Sequence, residues 1–98
     1  MQISQEQLQE IENFASRGFL IKEIAAILGV DEPRFERIFS MDSHPAVQAF
    51  QRGTLKAQLT IRNSIFDSAV SGSGPAQTEM LKIFSKQVQY LKQIRPDA

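Results

Sequence analysis

The chain has 98 residues, 42% of them hydrophobic and 22% charged, with no cysteine and a formal net charge of zero. That is the profile of one small globular domain, or of a small head with an oligomerising tail. It excludes disulfides and thiolate metal sites. No apolar run approaches the ~18 residues of a membrane span, and MQISQEQLQE is no signal peptide, so a cytoplasmic location is expected. The zero balance hides an asymmetry. Residues 1–43 carry four basic and eight acidic side chains, and residues 44–98 carry seven and three. An acidic segment is joined to a basic one, which favours attraction between neighbouring copies.

Helical spacing runs through the whole chain, and no alternating β-branched run sits between turn residues. An all-α fold is expected. Ser4, with Gln7 three positions on, has the pattern of a capping box. Leu8, Ile11, Phe14 and Ala15 then mark one apolar face, and Gly18 is placed to end this first helix. A second helix is expected over about 21–28, with Ile21, Ile24, Ala25 and Leu28 inward and Gly29 as its terminator. Leu20 stands where a capping Ser or Thr would be expected. Asp31 can cap a third helix, Pro33 suits its first turn, and Phe35, Ile38 and Phe39 face inward.

The small Ala25, the turn at Gly29, the plug at Val30 and the apolar set Ile24, Leu28, Phe35 and Ile38 have the spacing of a helix-turn-helix. In that motif the turn and the start of the second helix enter the major groove of DNA. The outward positions here are Asp31, Glu32, Pro33, Glu36, Arg37 and Ser40, an acidic set for the purpose, since carboxylates oppose phosphate. Lys22, Arg34, Glu36, Arg37 and Ser40 are the candidate DNA-contacting residues. Arg37 suits guanine or phosphate, Lys22 and Arg34 suit the backbone, and Glu36 suits cytosine. The alternative is that the glutamates pair with arginines on a solvated face.

MDSHP breaks the pattern. Ser43 can cap the next helix, Pro45 sits in its first turn, and His44 fits a helix-start role better than that of a ligand or base. A long helix is expected to residue 71, interrupted only by Gly53, which costs roughly 1 kcal/mol relative to Ala. Val47, Phe50, Thr54, Ala57 and Ile61 form one narrow seam. Leu55, Leu59, Phe66 and Ala69 or Val70 form another stripe. Two stripes imply two partners, one of them a neighbouring subunit, so Val47, Phe50, Leu55, Leu59, Ile61 and Phe66 are the candidate oligomerisation residues. SGSGP, residues 71–75, is the strongest loop signal. Pro75 opens a last helix to about Ile94, on which Leu81, Phe84, Val88 and Leu91 are expected to pack back on the long helix as an αα-hairpin.

Two domains are therefore expected, a helix-turn-helix at 1–43 and a helical hairpin for oligomerisation at 44–98. The basic residues Arg52, Lys56, Arg62, Lys82 and Lys86 offer a possible second DNA surface. No cluster has metal spacing, no glycine loop cradles phosphate, and no serine has a partner base nearby, so neither enzymatic activity nor a cofactor is expected.

The order RGFLIKEIAAILGVDEPRFERIF, then HPAVQAFQRGTLKAQLTIRNSIFDSAVSG, then PAQTEMLKIFSKQ, resembles the small terminase subunits of tailed bacteriophages and related prophage DNA-packaging proteins. The likeness lies in the helix-turn-helix followed by the steps Phe50 to Gly53, Ala69 to Gly72 and Met80 to Phe84. It implies a non-enzymatic protein that assembles into a ring, recognises viral double-stranded DNA in the cytoplasm of an infected bacterium, and modulates the large terminase subunit. Two departures stand against the pattern: the second motif helix is acidic, and little chain follows the hairpin to engage the large subunit. A protein-interaction adaptor or a transcriptional regulator on the same fold remains the alternative.

Overall fold

The computed structural model describes residues 1–97. Five α-helices follow in order: α1 (Gln5–Ala15), α2 (Ile21–Leu28), α3 (Glu32–Ile38), α4 (Pro45–Val70) and α5 (Gly74–Ile94). Among the described residues there is no strand, and no helix is long and apolar enough to cross a membrane. Two compact units divide the chain, Met1–Gln58 and Leu59–Ala98. The division falls inside α4, so that the first half of this helix belongs to the first unit.

The first unit is a helical head. Ser4 and Gln7 form the expected capping box: Gln7 N–H donates to Ser4 Oγ at 3.0 Å, and Ser4 N–H donates to Gln7 Oε1 at 2.9 Å. Gly18 takes the left-handed turn after α1 (φ 85°). Leucine offers no acceptor at the start of α2. There Glu23 reaches back, its Oε1 accepting from Leu20 N–H at 2.8 Å. Gly29 ends α2 with φ 71°, while its own N–H bonds to the Ala26 carbonyl and that of Val30 to the Ala25 carbonyl. This reciprocal pattern is a Schellman ending, and the left-handed residue at its centre favours glycine. Asp31 caps α3 by accepting from Arg34 N–H at 3.2 Å.

Ile11, Ile24 and Phe35 are the largest fully buried side chains, with Ala25 and Ile38 beside them. Leu8, Phe14, Leu28 and Val30 pack around that centre half-buried. The core also takes in the start of α4. Ala46, Val47 and Ala49 are buried, and Phe50 packs edge-on to Phe39, whose ring meets Phe35 in the same way. The seam beginning at Val47 and Phe50 therefore seals the head, because alanines at 46 and 49 let α4 settle closely onto it. The start of α4 also differs from expectation. His44 supplies the cap, its Nδ1 accepting from Ala46 N–H at 3.0 Å, while Ser43 contributes only its carbonyl, to Gln48.

In the second unit α5 turns back along the C-terminal part of α4 as a hairpin. The Schellman pattern recurs at the bend: Gly72 (φ 106°) and Ser73 donate to the Ala69 and Ser68 carbonyls. Gln77 Nε2 adds a bond to Ala69 O at 3.0 Å, and Ser73 Oγ caps α5 at Ala76 N–H. The inward residues are Ile65 and Ala69 on α4 and Ala76, Met80 and Ile83 on α5, of which only Met80 is fully buried. The seam Leu81, Phe84, Val88 and Leu91, expected to lie on α4, is exposed instead.

Candidate nucleic-acid interface

The turn between α2 and α3 holds α3 against the head by Phe35 and Ile38 and leaves the rest of its circumference in solvent. At about 100° per residue, Arg34 and Arg37 fall on one flank of α3, and Glu32 and Glu36 fall roughly 160–200° round from Arg34. The two arginines line a shallow cleft with Met1, Ile38 and Met41. The acidic turn that looked unsuited to DNA is thus resolved into two flanks, one cationic and one anionic. The order of charge along α3 also suits the helix dipole, with Glu32 in the first turn and Arg37 in the last.

Of the candidate contact residues, Arg34 and Arg37 are brought together and exposed. Glu36 is exposed on the other flank. Ser40 directs its hydroxyl to the Arg37 carbonyl at 2.7 Å, which fixes the end of α3. Lys22 is exposed in the first turn of α2.

The candidate second surface divides. Arg52 and Lys56, both in the head unit, converge on one carboxylate, with Arg52 Nε 2.5 Å from Glu12 Oε1 and Lys56 Nζ 2.7 Å from Glu12 Oε2. Glu12 is buried on α1, and the bond from Lys56, then that from Arg52, holds its carboxyl below the ordinary value of 4.5 against the opposing effect of burial. These two cations are thereby committed in part to holding α4 on α1. Lys82 and Lys86 lie one turn apart on the exposed side of α5. Among the oligomerisation candidates, Val47 and Phe50 are taken by the head core, whereas Leu55, Leu59, Ile61 and Phe66 stay 47–60% exposed.

The sequence reading missed Glu12. Its signal was present: Glu12 shares the helical face of Leu8, Ile11 and Ala15, so a carboxylate interrupts an apolar stripe. A buried carboxylate in that position needs cations, and Arg52 and Lys56, one turn apart on α4, supply them.

Nowhere among the described residues do three or more His, Cys, Asp or Glu gather as they would to hold a metal ion. No family model, no curated protein and no solved structure matches this chain.

Proposed function

We propose that this protein binds double-stranded DNA through its helix-turn-helix head and acts as a homo-oligomer, in the manner of a small terminase subunit that recognises viral DNA for packaging and regulates a large subunit. On this reading it carries no catalysis of its own and works in the cytoplasm of an infected bacterium. The observation that supports it best is the segregation of Arg34 and Arg37 onto one exposed flank of α3, where both line a cleft with Met1, Ile38 and Met41. Phosphate binding needs cations presented without intervening carboxylates, and that flank provides two. The extensive apolar exposure on the hairpin supports the oligomeric part of the reading, because a protein with weak single heads gains from presenting several together.

The test is fluorescence anisotropy with a labelled duplex at several salt concentrations. Replacing Arg34 and Arg37 together by Ala should weaken binding across all sequences and lower the salt slope by about two. Wild-type protein that fails to retain duplex even at low salt would refute the DNA reading. The adaptor reading is favoured by the opposite flank, where Glu32 and Glu36 are exposed. It requires that the wild type and the double arginine variant ignore DNA equally.

A further inference from the structure

The hairpin has a sidedness that spacing along a single helix does not reveal. On α4 the residues turned toward α5 are Ile65 and Ala69, and Leu59, Phe66 and Val70 lie about a quarter-turn from them. On α5 the residues turned toward α4 are Ala76, Met80 and Ile83. The seam Leu81, Phe84, Val88 and Leu91 lies a quarter-turn from these, in the same rotational sense. Because the helices are antiparallel, equal rotations carry both stripes to the same side of the hairpin. The other side is mixed, with Ser64, Ser68 and the exposed Ile61 on α4 and Glu79, Lys86, Gln93 and the exposed Tyr90 on α5. The α4 stripe and the α5 seam therefore form one broad apolar face, which a single partner can cover.

The face is large. Leu59, Phe66 and Val70 are 60%, 47% and 71% exposed, and Leu81, Phe84, Val88 and Leu91 are 68%, 44%, 48% and 47% exposed. With ordinary side-chain areas this leaves on the order of 700 Å² of apolar surface, above the few hundred Å² of the usual largest patch on a monomer. It approaches the ~800 Å² per partner of a standard specific interface. The hairpin itself buries little besides Met80, and paired helices with so small a core are marginal in water.

We infer that this face is covered by the same face of a second copy, the two hairpins forming a two-fold four-helix bundle. Three observations point to a second copy. The area matches what a stable dimer needs. The three-four-three spacing of the α5 seam is the knob spacing that another helix of like period accepts. The face also spans two antiparallel helices, and a two-fold axis through it sets apolar stripe on apolar stripe, the arrangement of a bundle built from two hairpins. Arg62 is the one charged residue near the centre of the α4 stripe and tolerates this arrangement if its long side chain reaches the bundle edge. The pairing deepens the self-association in the function proposed above and does not depend on DNA binding.

The experiment is sedimentation equilibrium of the full chain without DNA, across micromolar concentrations. The inference expects assemblies with an even number of chains whose smallest associated species is a dimer. Phe84→Glu with Val88→Glu should weaken that dimer at least ~100-fold, since four charges would enter a desolvated contact. Lys82→Glu with Lys86→Glu, away from the face, should leave the mass unchanged. Circular dichroism on the first pair shows whether the head remains helical. A monomer at every concentration would assign the face to a different protein and overturn the inference. So would a ring with an odd number of chains, or a dimer indifferent to the changes at Phe84 and Val88. Failure to retain DNA by an even-numbered assembly sinks only the DNA reading.

Discussion

Gly53 of α4 lies directly against the backbone of Glu12 on α1. A Cβ at position 53 would collide with the Glu12 carbonyl and stand 3.1 Å from the Ala15 Cβ. The glycine that weakens the long helix locally is what allows two helices to touch by their backbones. Once they touch, Arg52 and Lys56, on either side of Gly53, are in reach of the Glu12 carboxylate.

Gly53→Ala sets two effects against each other. Helix propensity gains about 1 kcal/mol. Overpacking costs typically 1–3 kcal/mol, and here the obstacle is backbone, which no rotamer change relieves. Against a backbone obstacle the cost falls in the upper part of that range, so the expected result is a net loss of up to about 2 kcal/mol and a melting temperature lower by several degrees. Gly53→Val should do worse. Thermal denaturation of the two variants checks the order, and a Gly53→Ala protein more stable than wild type would contradict the close approach.

The Glu12 clamp predicts a particular pH dependence. Its folded-state pKa lies below the ordinary 4.5, so the clamp's contribution is complete above about that pH and is lost as pH falls through the folded value. Glu12→Gln should be less stable than wild type at pH 7, and the gap should close as the solution is made more acidic than pH 4.5. Urea midpoints of both proteins from pH 7 to pH 3 would measure it. A gap that persists unchanged into strong acid would mean the ion pairs contribute nothing specific.

At the start of α4, His44→Ala removes the acceptor for Ala46 N–H and should cost about 1 kcal/mol, the usual value of a helix cap. His44→Asp or His44→Ser should recover most of it. Chemical denaturation of the three variants tells a capping role from one in which the ring's bulk matters, because the latter would leave all three equally destabilised.

The divided circumference of α3 makes a further prediction for the DNA reading. Glu32→Gln and Glu36→Gln each remove a charge that repels phosphate, so duplex affinity should rise severalfold at low salt and the gain should shrink as salt rises. Affinity unchanged in both variants would place the DNA away from α3.

Sequence alone determined the helices, because helical periodicity, capping residues and turn glycines act within a few residues of one another. Ser4, Asp31 and Ser73 begin helices and Gly29 and Gly72 end them, each through bonds to near neighbours. The centre of the head was legible as well, since Ile11, Ile24, Phe35 and Ile38 stand at regular spacing. Only the tertiary structure decided the rest. That Ala46, Val47 and Ala49 belong to the head depends on where α4 crosses α1, and Gly53 sets that crossing. That Arg52 and Lys56 serve Glu12 follows from residues some forty positions apart being brought together. Periodicity finds the apolar stripes on α4 and α5, but the side they share depends on how one helix is rotated against the other. A one-dimensional pattern carries no record of that rotation.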